Sequence, residues 1–188
     1  MNNVKQLPAS LKGYFLLASP YLADPRFHGG VVFLCDHNEG GALGVIINRP
    51  LDIHLGEILE QLDLDGGELD EPVYSGGPVQ PERGFVFHGP STSWLNTTAV
   101  SEDVMLTTSR DILGAIGLDE GPSRYLVALG YAGWSEGQLE AELASSDWLA
   151  CPGSAELLFE TEASHRYQAI LKRLGIDLNQ LSNAIGHA

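Results

Sequence analysis

The sequence is poor in positive charge: its 188 residues include 10 Lys and Arg against 25 Asp and Glu, a formal net charge of −15. Nucleic-acid affinity comes largely from basic residues that displace counterions from phosphates. A chain this acidic also repels an anionic membrane surface. We therefore expect no nucleic acid and no membrane as direct partners.

Cysteine is scarce too, because Cys35 and Cys151 are the only two in the chain and form no CxxC pair. Reduced thiols in a cytoplasmic protein fit this usage best. Long hydrophobic runs are also missing, and the apolar run Tyr14–Ala18 is too short for a signal-sequence core or a membrane span. We expect a cytoplasmic location and interpret this run as the first strand.

The signatures of common enzyme classes do not occur. The chain has no Walker A motif, no dinucleotide-binding glycine motif, and no HExxH, GxSxG or CxxC. A helix-turn-helix function is disfavoured as well, because the most basic helical segment carries only Arg166, Lys172 and Arg173. We expect no cofactor and no metal centre, and a familiar enzyme activity is less favoured than binding.

Short apolar runs of strand length are present along the whole chain. They are continuous rather than alternating, which is typical of a sheet covered on both faces. The runs are residues 14–18, 31–35, 43–47, 85–87, 104–106 and 125–129, with 157–159 as a weaker seventh.

Amphipathic segments separate several of these strands. Leu55, Ile58, Leu59 and Leu62 have helical spacing, as do Tyr167, Ile170, Leu171 and Leu174. A third helix is predicted to begin at Ser135, where Ser135 and Gln138 have the spacing of a capping box. Because strands occur both in succession and separated by helices, we predict an α+β fold with a mixed sheet in a single compact domain over residues 1–188. Residues 91–98 are either a surface loop, which is favoured, or a boundary between two lobes.

The segment CDHNEGG, residues 35–41, places a thiol, an imidazole, an amide and two carboxylates between two apolar runs. Its length and glycines are typical of a hairpin loop. In a regular strand, Cys35 and His37 share one face. Three roles are open for this pair: a nucleophile with its base, or two metal ligands with His88 as a third, or a core thiol beside a turn histidine. The last of these is favoured, because buried free cysteines usually behave as small hydrophobic residues.

Further candidates for a binding pocket lie in polar turns and aromatic positions. Arg49 is either an anion-binding arm or a paired structural cation, and the glycine turn after Ser75 is either an anion-binding nest or a tight turn. If the Cys35 and His37 face opens to a cleft containing these groups, thiolate is favoured at Cys35. The full candidate set is Asn38, Asn48, Arg49, Ser75, Gly76, Gly77, Tyr131 and Trp134.

Four blocks, VVFLCDHNEGGALGVIINRP, SGGPV, RGFVFH and GYAGWSEGQLEAEL, follow one another in the chain. In this order they resemble the AlgH/YqgE family of bacterial proteins, from about Tyr14 to Gly175. Asp36 stands where that family usually has Glu. The resemblance implies a branched mixed sheet surrounded by helices and a cytosolic location, with a name derived from regulation of alginate synthesis. It implies no biochemical activity.

Three functions stay open on this basis. The favoured one is a cytosolic binding or regulatory adaptor that acts through a protein or a small anionic metabolite. The second is an enzyme or redox-responsive protein that uses Cys35 and His37, with His88 as a further candidate. The third is direct transcriptional regulation, which the net charge disfavours.

Overall fold

The apolar runs of the sequence form the centre of a ten-stranded sheet in the computed structural model, which describes residues 6–90 and 94–177. The strands are β1 Tyr14–Ala18, β2 Val31–Asn38, β3 Gly41–Ile46, β4 Pro50–His54, β5 Pro72–Ser75, β6 Val79–His88, β7 Thr97–Ala99, β8 Met105–Thr107, β9 Tyr125–Ser135 and β10 Trp148–Pro152. The α-helices are α1 Leu55–Gln61, α2 Asp111–Gly117, α3 Gln138–Ala144, α4 Ala155–Phe159 and α5 Ala163–Leu174, and a 3₁₀ turn spans Pro25–Phe27.

The sheet branches at β9, the longest strand. The main path runs β10-β1-β2-β3-β9-β6-β8-β7, and every pair in it is antiparallel. Beside this path, β5 pairs with β9 in parallel and with β4 antiparallel. The chain therefore forms a single domain with a curled, mostly antiparallel sheet, which confirms the α+β class.

The helices pack against this sheet at three hydrophobic clusters. The largest cluster, built around Phe15, Phe33 and Phe87, is covered by α4 and α5. On the opposite side of β1, β2 and β3, α3 covers a second cluster. Helices α1 and α2 enclose a third with β5, β6 and β9. The prediction that helices surround the sheet stays a prediction.

Two amphipathic segments form helices where their spacing predicts. Leu55 and Leu59 of α1 are completely buried, and Ile170 and Leu171 of α5 are buried in the same way. The helical phase of both segments is therefore confirmed.

Two local predictions are wrong. Residues 157–159 are not a strand but lie in α4, because the Ser154 hydroxyl accepts a hydrogen bond from the Leu157 N–H (3.3 Å) and caps a helix there. Ser135 does not cap α3, since it is the last residue of β9. The Gln138 side chain nevertheless accepts a hydrogen bond from the Ser135 N–H (3.0 Å). The capping-box spacing therefore identified a real contact, which lies just before the helix and not at its first residue.

The segment 91–98 is described only in part, since residues 91–93 lie outside the described residues. Thr97–Ala99 forms β7, which pairs with β8. The lobe boundary stays a prediction. In the described part of the chain, no helix is long and apolar enough to span a bilayer.

Candidate functional site

The CDHNEGG segment is a β-hairpin with a bulge. Strand β2 ends at Asn38 and β3 begins at Gly41, and the Asn38 side chain accepts a hydrogen bond from the Gly40 N–H (2.8 Å). The pairing with β3 shifts between Leu34 and Asp36, which leaves Cys35 as the extra residue of a β-bulge. The bulge interrupts the regular alternation of side chains between the two faces of the sheet, at a point between Cys35 and His37.

Cys35 and His37 consequently lie on opposite sides of the sheet, and the prediction that they share a face is wrong. Cys35 packs in the largest cluster with Phe33, is 6% exposed, and has its sulfur 3.7 Å from the Phe33 carbonyl oxygen. Burial raises the pKa of the Cys35 thiol far above its usual range, and the charge of Asp36 raises it further. The neutral thiol is therefore favoured at Cys35, although the charge of Lys12 acts in the opposite direction.

His37 connects three parts of the chain on the α3 side. Its Nδ1 accepts a hydrogen bond from the Leu11 N–H (2.8 Å), and its Nε2 donates to Oε1 of Glu140 in α3 (2.7 Å). The hydrogen bond from His37 lowers the pKa of the Glu140 carboxyl. These contacts give His37 a structural role at the junction of β2, α3 and the N-terminal segment.

His88 is completely buried at the end of β6. Its Nδ1 donates to the Gly89 carbonyl (2.9 Å), and its Nε2 accepts from the Thr107 hydroxyl (2.8 Å), which in turn lies 2.8 Å from the Thr97 hydroxyl. Burial lowers the pKa of His88, so the neutral imidazole is favoured. The ring completes a hydrogen-bond chain between β6, β7 and β8.

Asn48 and Arg49 fasten the segment 26–31 to the end of β3. Their side-chain groups are occupied by backbone atoms of that segment, and burial lowers the pKa of the Arg49 guanidinium. Arg49 is therefore a structural cation held by carbonyl oxygens. The contacts are Val31 N–H (2.8 Å) and the Gly29 carbonyl (2.8 Å) for Asn48, and the carbonyls of Arg26 and His28 (2.7 Å) for Arg49.

The Ser75-Gly76-Gly77 turn is the point where the sheet branches. The Gly76 N–H donates to the Leu129 carbonyl (2.7 Å), so it is not available as an anion donor. A Cβ atom at Gly76 would lie 2.3 Å from the Gly130 carbonyl oxygen, and one at Gly77, where φ is +155°, would lie 2.1 Å from the Tyr131 carbonyl carbon. The glycines permit this close approach of two backbones, and the nest hypothesis is wrong for Gly76.

Tyr131 and Trp134 lie on opposite sides of β9. Tyr131 packs edge-on against Phe85, with ring centres 5.8 Å apart, in the largest cluster. The Trp134 indole N–H donates to Oε2 of Glu142 (2.8 Å) in the α3 cluster. The Ser75 turn lies beside Arg49, whose carbonyl accepts a hydrogen bond from the Ser75 N–H (2.8 Å), and beside Tyr131. His37 and Trp134 lie on the α3 side of the sheet, so the whole candidate set does not converge on one cleft. In the described residues, no group of three His, Cys, Asp or Glu side chains has the arrangement of a metal site.

A cavity that the sequence did not predict contains a buried arginine. Arg166 of α5 is 4% exposed, its Nη1 donates to the Ile47 carbonyl, and its guanidinium lies 5.1 Å from the centre of the Tyr74 ring. Its Nε has no hydrogen-bond partner in the part of the chain that the structure describes. None of the ion pairs among the described residues includes Arg166. Burial lowers the pKa of this guanidinium, and Tyr74 opposes that effect.

The cavity beside Arg166 has a volume of about 170 Å³. Burial, and then the Glu71 carboxylate, raise the pKa of Tyr125 to about 12. The cavity thus combines a buried cation, two phenols and one carboxylate with apolar walls. Its main lining residues are Glu71, Tyr74, Tyr125, Leu158, Phe159 and Arg166.

One sequence signal pointed to this cavity. Arg166 precedes Ile170 by four residues, so it falls on the buried stripe of α5 rather than on its solvent face. A charged residue on such a stripe is rarely buried unless it has a partner. Lys172 and Arg173 lie in the last turn of the same helix, so a count of its basic residues does not distinguish Arg166 from them.

The chain is similar to proteins from several bacteria. A family model described as AlgH-like matches residues 15–179. A UPF0301 protein of Hahella chejuensis is 49% identical over 180 residues, covering 96% of this chain and 97% of that protein. A UPF0301 protein of Dechloromonas aromatica is 49% identical over 182 residues, covering 95% and 98%.

Two solved structures have the same fold. The solution structure of the AlgH protein from Pseudomonas aeruginosa is 43% identical, with a TM-score of 0.79 and complete coverage of both chains. A crystal structure of a protein from Corynebacterium diphtheriae has a TM-score of 0.70 at 20% identity and covers 89% of this chain and 87% of that one. At this lower identity, the second likeness concerns the fold alone.

Proposed function

We propose a function for this chain, which belongs to the AlgH-like family that its motifs predicted. It is a cytoplasmic regulatory binding protein, and its small ligand presents a carboxylate to Arg166. The observation that carries the proposal is a buried guanidinium, without an acidic partner, beside a cavity. The two unpaired thiols of the chain suit the reducing conditions of a cytoplasm.

An uncompensated charge in a protein interior is costly, and buried charges are normally paired. Arg166 has its Nη1 bound to Ile47 and its Nε without a partner. The edge of the guanidinium formed by Nε and Nη2 is one that carboxylates bind with two parallel hydrogen bonds. Tyr74 is the side chain that already acts on this guanidinium, through a hydrogen bond. An anion in the cavity would supply the missing counter-charge and a partner for Nε.

The position of Arg166 on α5 connects the cavity to the rest of the molecule. The next residue, Tyr167, donates its hydroxyl to the Ala18 carbonyl of β1 (2.6 Å). A ligand that draws Arg166 toward the cavity therefore acts on the helix that holds β1 and β10. We propose that a protein partner recognises this state of α5, which gives the regulatory role its mechanism.

The alternatives have less support. An enzyme that uses Cys35 and His37 is opposed by the burial of the thiol and by the separation of the two side chains across the sheet. Direct binding of DNA is opposed by the net charge of −15.

The test is calorimetric titration of the protein with butanoate, a small carboxylate with an apolar chain. We expect saturable binding that is weakened at least tenfold in Arg166→Gln and Arg166→Lys, since Lys retains the charge without the planar fork. Arg83→Gln removes a positive charge outside the cavity and is the matched control. Unchanged affinity in a folded Arg166 variant, or no binding by the wild-type protein, would overturn the proposal.

A further inference from the structure

The cavity beside Arg166 carries a second charge, which restricts the chemistry of its ligand. Glu71 lines the same cavity and directly precedes β5, whose Tyr74 lies against the guanidinium of Arg166. Two residues lie between Glu71 and Tyr74, so in an extended chain their Cα atoms are about 10 Å apart. No ion pair joins Glu71 to Arg166 within the described ranges. The two opposite charges therefore line the same cavity without forming an ion pair with each other.

We infer that the ligand is a small zwitterion, an amino acid whose carboxylate contacts Arg166 and whose ammonium group contacts Glu71. This inference rests on the proposed function, because it assigns the second end of a ligand whose first end binds Arg166. The ammonium group donates hydrogen bonds to the Glu71 carboxylate, which already accepts one from the Tyr125 hydroxyl in the cavity wall.

The net charge of the protein also selects among anionic ligands. At −15, the protein repels a dianion such as inorganic phosphate at long range. A zwitterion has no net charge and meets no such repulsion, while it retains a carboxylate for Arg166. A simple carboxylate would also bring its apolar end toward the Glu71 carboxylate, which a zwitterion instead pairs with its ammonium group.

The size of the cavity limits the ligand further. At about 170 Å³, it is smaller than the roughly 300–1,000 Å³ of pockets that hold drug-sized molecules. Leu158 and Phe159 provide apolar walls beside the charged groups. Arg124 lies near Phe159, but its guanidinium is paired with Glu160 at 2.9 Å. Arg166 is therefore the cation that faces a ligand in the cavity. A ligand of a few heavy atoms with a short apolar link fits these dimensions.

The experiment compares three matched series that differ in one charged group. Glycine, β-alanine and 4-aminobutanoate are zwitterions with increasing separation of charge. Acetate, propanoate and butanoate lack their ammonium groups, and methylamine, ethylamine and propylamine lack their carboxylates. Each compound is titrated into the wild-type protein, Glu71→Gln and Arg166→Gln, and Glu68→Gln serves as a control that removes a nearby carboxylate outside the cavity.

We expect at least one zwitterion to bind ten or more times more tightly than both of its matched compounds. Glu71→Gln should remove this advantage and leave carboxylate binding intact, whereas Arg166→Gln should weaken carboxylates and zwitterions alike. If acetate, propanoate and butanoate bind as tightly as the amino acids, and Glu71→Gln changes nothing, the zwitterion inference is wrong and the proposed function stands. If no compound of the carboxylate or zwitterion series binds, both are wrong.

Discussion

Trp134 and Trp148 meet edge to face, with ring centres 5.8 Å apart, and both donate their indole N–H groups to Oε2 of Glu142 at 2.8 Å. The two tryptophans come from β9 and β10, and Glu142 comes from α3. One carboxylate thus joins a helix to strands on two separate parts of the sheet. Both tryptophans are nearly buried, whereas Glu142 is half-buried and lines a cavity of about 170 Å³ together with the two rings.

Glu142→Ala should therefore destabilise the protein. A buried donor that loses its partner costs about 1–3 kcal/mol, and because water in the adjoining cavity can reach the two indole N–H groups, we expect a total loss of about 1–3 kcal/mol in the free energy of unfolding. Urea unfolding followed by tryptophan fluorescence measures this loss. Glu136→Ala, which removes an exposed carboxylate close in sequence, should cost less than about 0.5 kcal/mol. Equal stabilities of the two variants would show that the shared carboxylate is not a structural junction.

Cys35 should be unreactive in the folded protein, because its thiol is buried and its pKa is raised. In a Cys151→Ser variant, where Cys35 is the only thiol, iodoacetamide should modify it only after urea unfolding. Mass spectrometry at several pH values gives the rate. Rapid labelling of the folded variant, with an apparent pKa below the reference of about 8.5, would contradict the described burial and restore the nucleophile hypothesis.

His88 should make the stability depend on pH. Its pKa in the folded state lies below that of the unfolded chain, about 6.5, so the unfolded state binds the proton more tightly. The stabilisation from neutral His88 is present above about pH 6.5 and is lost as the pH falls toward the folded pKa. The slope reaches at most about 1.4 kcal/mol per pH unit for one proton. Urea unfolding between pH 7 and 5 should show a smaller slope for His88→Gln than for the wild-type protein.

Leu59 and Glu60 test the phase of α1. Leu59 is completely buried, whereas its neighbour Glu60 is exposed. Leu59→Ala should cost about 2–5 kcal/mol through lost burial and a cavity, and Glu60→Ala should change little. Chemical unfolding of both variants provides the comparison, and similar losses would mean that the helix presents a different face to the core.

Much of the fold follows from hydrophobic pattern alone. Continuous apolar runs form central strands, and the leucines of α1 and α5 are buried where helical spacing places them, because burial of a contiguous face dominates the energy of both element types. The short strands β4 and β7 have no such run, and they form because neighbouring strands offer unpaired backbone groups. Strand β10 has the apolar run Trp148–Cys151, which was not among the predicted strands.

The candidate site could be predicted far less well. The β-bulge at Cys35 places Cys35 and His37 on opposite sides of the sheet. The types of side chain in a sequence do not strongly indicate where a bulge occurs. Asn48, Arg49 and His88 are polar residues whose partners are backbone groups or side chains distant in sequence, so their structural roles depend on the tertiary fold. Glu71 and Arg166 line the same cavity although Arg166 follows Glu71 by 95 positions (166 − 71) in the sequence. Only the tertiary fold brings them together.

The most direct test of the central claim is the ¹⁵N–¹H resonance of the Arg166 side-chain Nε–H during titration of the wild-type protein with butanoate. The proposed carboxylate site predicts a saturable shift of this resonance, with much smaller changes at the Nε–H of Arg83 and Arg124. The Nε of Arg166 has no hydrogen-bond partner in residues 6–90 and 94–177, so a new hydrogen bond to an anion should move its resonance strongly. An Arg166 resonance that stays unchanged up to the highest butanoate concentration, or that moves no more than those of Arg83 and Arg124, would contradict the account.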